Sequence, residues 1–142
     1  MIAVSVENLV KTYDEVTALD HGTFHVGRGE LFGMIGPDGA GKTTLFRILA
    51  TLLVPDEGSA RIEELDTIKD YRKIRTMLGY MPGTFSLYQD LTVQENLAFF
   101  ATIFDTTIQA NYHLIRDIYQ QIEPFKNRLA RNLSGGMKQK LA

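Results

Sequence analysis

The chain of 142 residues contains no cysteine. That excludes a disulfide framework and any Cys-based metal site, and it suits a reducing compartment. An excess of either charge is missing too, since 15 Lys and Arg face 17 Asp and Glu for a formal net charge of -2. Such a chain has no basic field for nucleic acid and no polybasic patch for a membrane surface, so affinity for a polyanion must be local. Long apolar runs are absent: Leu97 to Ala101 is the longest and cannot span a bilayer. The start, Met1-Ile2-Ala3-Val4-Ser5, lacks the basic-then-apolar order of a signal peptide. There is no internal repeat and no low-complexity segment. What remains is ordinary globular composition, 44% hydrophobic and 23% charged, enough for a domain with a core.

Ile2, Val4 and Val6 alternate with Ala3, Ser5 and Glu7, and Phe24 and Val26 repeat the pattern, which predicts half-buried antiparallel strands. Leu31-Phe32-Gly33-Met34-Ile35 is apolar on both faces, the signature of a strand buried in a parallel sheet. Next, Leu45, Ile48, Leu49 and Leu52 mark one face of a helix that Pro55-Asp56-Glu57-Gly58 breaks. Ser59 to Ile62 reads as a short strand, Asp66 to Arg75 as helix, and Met77 to Met81 as a second apolar strand. Thr92-Val93-Gln94-Glu95 is a capping box opening a helix to about Phe104. A further helix, Thr107 to Ile122, carries Leu114, Ile115, Ile118 and Ile122 on one face and stops before Pro124.

Between the Leu31 strand and the first helix lies Gly36-Pro37-Asp38-Gly39-Ala40-Gly41-Lys42-Thr43-Thr44, which satisfies the Walker A pattern. Glycines let backbone amides curl around an anion, and the amides of Gly39 through Thr44 lie at a helix N-terminus with a favourable dipole. Lys42 supplies a point charge to the β- and γ-phosphates of a nucleotide, the Thr43 hydroxyl can ligate Mg²⁺, and Thr44 is placed for the α-phosphate. Strand, loop and helix are the context this motif requires. Asp38 is odd there, because a triphosphate repels a carboxylate, so its side chain is expected to face away. Far downstream, Leu133-Ser134-Gly135-Gly136-Met137-Lys138-Gln139 reads as a helix start with Ser as N-cap, a second anion site built from the same physics or an ordinary capped helix.

With both motifs present, the chain resembles the ATP-binding domain of ABC transporters, whose signature is LSGGQ; here Met137 stands at the Gln. The resemblance covers Ile2 to Ala142. It implies an α/β fold: a P-loop NTPase core with an N-terminal antiparallel β subdomain and a helical subdomain. The expected division is 1–86 for the β subdomain and Walker A core, 87–133 for the helical subdomain, and 134–142 for the start of the signature helix. It implies that Tyr13 stacks on adenine, against the alternative of a hydrophobic plug. It implies ATP and Mg²⁺ as cofactors, with Tyr13, Gly36, Gly39, Ala40, Gly41, Lys42, Thr43 and Thr44 as one side of the site and Thr43 as metal ligand. Ser134, Gly135 and Gly136 would touch the γ-phosphate on the partner of a head-to-tail homo- or pseudo-homodimer. A transmembrane permease subunit is the other implied partner, and nucleic acid is not one. The chain would then work peripherally at the cytoplasmic face of the membrane. Phe85 to Leu91 resembles the surface that meets the permease, or else a loop packed on its own helix.

Two departures from the family pattern stand out. Gly83 follows Met81-Pro82 where the family has a Gln that reaches Mg²⁺ and the attacking water. In the family a Walker B strand with its Asp and catalytic Glu, and then a switch His, follow the signature; the residues to Ala142 hold none of them, and His21, His25 and His113 lie upstream. The expectation is a chain truncated after its signature, with no catalytic residue of its own, which binds ATP without turnover and is marginally stable because a hydrophobic sheet edge is unpaired. The alternatives are a soluble ABC-type ATPase acting on nucleic acid or ribosomes, a small-molecule or nucleoside kinase, and a nucleotide-dependent interaction module that never hydrolyses ATP. A compact insert and net charge of -2 disfavour the first, and the signature disfavours the second.

Overall fold

Residues 1–83 and 86–141 are described in the computed structural model of the chain. They divide into two compact units, Met1–Tyr80 and Met81–Ala142. The first is built on an antiparallel sheet of four strands in the order β2-β1-β3-β4: β1 (Ile2–Tyr13), β2 (Val16–Gly27), β3 (Glu57–Ile62) and β4 (Leu65–Asp66). Its alternation is broken usefully once. Val6 and Leu9, three residues apart, are both fully buried because the register slips between them. Asn8 takes a left-handed φ of 47° at that point, and its amide donates to Thr23 Oγ1 at 2.9 Å.

Helix α1 (Lys42–Leu49) seals this face of the sheet with Leu45 and Ile48, which join Val6, Leu9 and Ala60 in one core. It ends earlier than the apolar stripe predicts, because Thr51 adopts a left-handed φ of 60° and the Leu52 amide turns back to the Arg47 carbonyl. Leu52 is therefore exposed. Arg75, on α2 (Tyr71–Met77), locks that turn by donating to Thr51 Oγ1 and to the Thr51 carbonyl, each at 2.7 Å.

Two predicted strands do not form. Leu31 to Ile35 is irregular, and no described strand pairs with it. Its alternation survives on one side: Phe32 stacks on Phe24 with ring centroids 5.1 Å apart, and Met34 packs against the core. Leu31 and Ile35, on the other side, are 100% exposed. Met77 closes α2 instead of opening a strand, and Met77 and Met81 are both exposed. The cause is common to both segments, since a strand exists through ladder hydrogen bonds, and apolar side chains cannot substitute for a neighbouring backbone.

The second unit is helical: α3 (Val93–Ile103), α4 (Ile108–Ile122) and α5 (Gly135–Leu141), with single 3₁₀ turns at Glu123–Phe125 and Ala130–Asn132. The capping box forms as predicted, with the Glu95 amide donating to Thr92 Oγ1 at 3.2 Å and the Thr92 amide to Glu95 Oε2 at 2.7 Å. The carboxylate of Glu95 is held below its ordinary pKa by the Thr92 amide first and the Thr92 hydroxyl second. Leu87, Val93, Ile122, Ala130, Leu133 and Leu141 form the core of this unit. On α4 the packed face is narrower than predicted. Ile122 is buried, while Ile118 and Leu114, about 40° and 80° round the helix from it, are exposed.

Candidate functional site

Tyr13 is the last residue of β1, at the tip of the β1–β2 hairpin. A two-residue turn, Asp14-Glu15, joins the strands there, with Asp14 in the left-handed region at φ 50°. The ring is thereby held out at the end of a stiff ladder, 41% exposed. Below it the phosphate loop begins with a turn, closed by the Ala40 amide on the Pro37 carbonyl at 3.2 Å, with Gly39 at φ 84° in the position that demands a left-handed residue. Gly41, at φ 79°, is the N-cap of α1 and has no side chain with which to cap it. A Cβ at Gly41 would overlap the carbonyl oxygen of Ala18 and lie 2.9 Å from Leu19 Cδ2. This close approach presses the loop against β2 and leaves the first amides of α1 without intrahelical acceptors.

The result is a cavity of about 330 Å³, with Tyr13, Val16 and Ala18 on the hairpin side and residues 38–44 on the loop side. Of the candidate residues, Tyr13, Gly39, Ala40, Gly41, Lys42, Thr43 and Thr44 all line it. Gly36 contributes differently: its carbonyl and that of Pro37 each accept from Lys42 Nζ at 2.6 Å. An ammonium has three donors, so two now hold the loop closed and one is left over. Asp38 is among the residues that line the cavity, because the Pro37–Ala40 turn puts its second residue on the crest of the loop. Val16 and Ala18 were not singled out in the sequence; only the hairpin register, which pairs Val16 with Tyr13, brings them here.

Ser134, Gly135 and Gly136 belong to the second unit. Ser134 caps α5, its Oγ accepting the Met137 amide at 3.3 Å and its carbonyl the Lys138 amide at 2.9 Å. All three are exposed. Gly83 is exposed as well, and Phe85 lies outside the described residues. Of the rest of the Phe85 to Leu91 segment, Leu87 is in the core of the second unit and Tyr88 stacks edge-on against Phe99 at 4.7 Å. That segment is packed on its own helix by a residue the sequence did not flag. Asn96, fully buried, accepts the Tyr88 amide at 2.9 Å and donates to the carbonyls of Tyr88, Thr92 and Leu91 at 3.0, 2.9 and 3.3 Å.

The donor set of the cavity fits a nucleotide triphosphate with its Mg²⁺: open helix-terminal amides, one lysine, two threonine hydroxyls and an exposed aromatic face. A dedicated metal cage is not part of it, as no three His, Asp or Glu converge among the described residues. Among those residues no helix is long and apolar enough to cross a membrane.

The model of the family described as ABC transporter matches residues 19–142. The chain is 50% identical over 115 residues to the probable multidrug ABC transporter ATP-binding protein YbhF of Escherichia coli (strain K12), covering 80% of this chain and 20% of that one. It is 34% identical over 141 residues to the Nod factor export ATP-binding protein I of Paraburkholderia xenovorans (strain LB400), covering 98% and 46%. Among solved structures, an ATP-binding subunit of an ABC transporter superposes with a TM-score of 0.83 at 28% identity, over 98% of this chain and 59% of that one. The ATP-binding cassette MJ0796, in a dimeric post-hydrolysis state bound to ADP and Pi, gives 0.79 at 25% identity, over 97% and 66%. The chain thus spans less than half the length of the two sequence relatives named.

Proposed function

The chain belongs to the ABC transporter family, within its ATP-binding part, and on that premise we propose that it holds MgATP between Tyr13 and the loop from Gly36 to Thr44 to drive transport across a membrane. One observation carries this reading: within a single compact unit, an exposed tyrosine and the uncapped start of α1 line the same cavity. The hairpin offers a flat face to the base, and the amides of Gly39 to Thr44 offer donors to the phosphates. Lys42 gives its remaining donor to the β- and γ-phosphates without leaving the loop carbonyls. The Thr43 hydroxyl is the side chain that would hold Mg²⁺, the cation supplying charge neutralisation for phosphoryl transfer.

The finer reading assigns Ser134, Gly135 and Gly136 to the γ-phosphate bound by a second ATP-binding domain, as the dimeric relative MJ0796 suggests by its assembly. A permease subunit at the cytoplasmic side of the membrane would take up the resulting motion. The names of the relatives, one multidrug and one for export, favour outward transport. Among the described residues Asp38 is the carboxylate that lines the cavity, as the second residue of the Pro37–Ala40 turn; no other carboxylate is placed there as a base, and these 142 residues are proposed to bind ATP without hydrolysing it. Lys42→Ala should abolish measurable MgATP affinity by isothermal calorimetry while leaving the circular dichroism spectrum intact; unchanged affinity would refute the site.

A further inference from the structure

The wall of the cavity that carries Tyr13 is fastened from behind by a residue in neither motif. Asp56 lies in the turn between α1 and β3. Its carboxylate accepts from Lys11 Nζ at 2.6 Å and from the Thr12 amide at 2.7 Å, and its own amide donates to the Val10 carbonyl at 2.9 Å. One residue thus grips three successive residues of β1 immediately before Tyr13. The grip comes where the sheet itself is weakest. Pairing of β1 with β3 ends at Val10↔Glu57, and the β1–β2 register slips on both sides of Lys11. Beyond that point the Asp56 side chain takes the place of the missing ladder bond on Thr12.

Lys11 passes the constraint on to the ring. Its ammonium lies 5.8 Å from the Tyr13 ring centroid, and only 15% of its side chain is exposed. A cation held on a ring by a carboxylate behind it attracts the π face and narrows the ring's range of motion. The Lys11 hydrogen bond, and then the Thr12 amide, keep the Asp56 carboxyl below its ordinary range, so it is ionised at neutral pH. At its other end, Asp56 terminates the segment that leaves α1, the helix whose first turn is the phosphate loop.

We propose that Asp56 is a positioning residue for the nucleobase: through Lys11 and Thr12 it fixes Tyr13 at a set distance from the triphosphate cradle. The proposal rests on the reading of Tyr13 as the base platform. Its test compares MgATP with inorganic tripolyphosphate plus Mg²⁺, which shares the phosphate contacts but has no base. Asp56→Ala should weaken MgATP about tenfold, as loss of one base-stacking contact does, and leave tripolyphosphate unchanged. In a Tyr13→Ala background the same substitution should have no further effect on MgATP, since the two act on one contact. Lys11→Met retains the Thr12 hydrogen bond and should give an intermediate loss; it is the variant to use if Asp56→Ala fails to fold. Because the chain has no tryptophan, Tyr13→Trp provides a single tryptophan, excited apart from the tyrosines, whose quenching by ATP should diminish when Asp56→Ala is added. Equal weakening of MgATP and tripolyphosphate, or additive losses in the double variant, would overturn the positioning role alone. If Tyr13→Ala itself leaves MgATP affinity unchanged, the base-platform reading falls, and this proposal with it.

Discussion

Gly41→Ala should destabilise the chain far more than Gly39→Ala, although the two glycines share a loop and nearly the same backbone conformation. Their φ angles are 79° and 84°. An alanine in the left-handed region costs about 1–2 kcal/mol, and that strain is common to both. What differs is space. A Cβ on Gly39 meets nothing within 4 Å, whereas on Gly41 it overlaps the Ala18 carbonyl and crowds Leu19 Cδ2 at 2.9 Å. The obstruction is backbone of a paired strand, which cannot swing aside as a side chain tip would. Forcing extra volume into such a contact adds about 1–3 kcal/mol, for a total of about 2–5 kcal/mol. Urea melts followed by circular dichroism, without nucleotide, would read the difference as a midpoint gap of about 1 M. Gly41→Ala should also lose MgATP affinity, because any shift that relieves the collision moves the first turn of α1 away from the hairpin. Coincident urea midpoints for the two variants would refute the reasoning, since the strain terms cancel and only the Ala18 contact remains to separate them.

Asp38→Asn should tighten MgATP about two- to fivefold at low ionic strength by removing a negative charge from a residue that lines the cavity, and the gain should shrink as salt is added; a loss of affinity would refute this electrostatic account. Asn96→Ala leaves the Tyr88 amide without its acceptor, while the carbonyls of Tyr88, Leu91 and Thr92 keep the backbone amides of Leu91, Ala130 and Asn96, so the loss should be about 1–3 kcal/mol in the melt of the helical unit, and a change under about 0.5 kcal/mol would sink the account. Stability should fall in acid. Asp56, Glu63, Asp66 and Glu95 are held below ordinary values of 3.8 for Asp and 4.5 for Glu, chiefly by Lys11, Arg28, the Lys69 amide and the Thr92 amide respectively. The unfolded carboxylates take up protons first, so their contribution is complete above pH 4.5 and is lost as pH falls through the folded values. Melting temperatures across pH 6 to 3 check this, and Glu63→Gln should flatten the acid limb.

The phosphate loop and the capping box were legible because each is a local device, satisfied by residues within a few positions of one another. Lys42 closes on Gly36 and Pro37, and Thr92 closes on Glu95. Val16, Ala18, Asp56 and Asn96 were not legible, since each acts through a register or a turn that brings distant backbone to it. Nothing in the spacing of Asp56 from Thr12 or of Asn96 from Tyr88 announces a hydrogen bond. The bulge at Asn8 is a middle case: Val6 and Leu9 break the alternation visibly, but only the left-handed φ of Asn8 explains why both face inward.

Leu31 to Ile35 shows the limit most directly. Apolar residues on both faces state that both faces need cover, but they do not identify what provides it. Phe24 and the core beneath Met34 cover one side from within the same unit. For the other side, burying a side chain the size of Leu31 or Ile35 gains about 1.5–3 kcal/mol, and both stand fully exposed. Gly33 lies between them with nothing within 4 Å of its missing Cβ, so a neighbouring backbone can approach without collision. The pattern is thus correct as a statement of preference and silent about pairing, because hydrogen bonds that make a strand belong to two segments and can be read from neither alone.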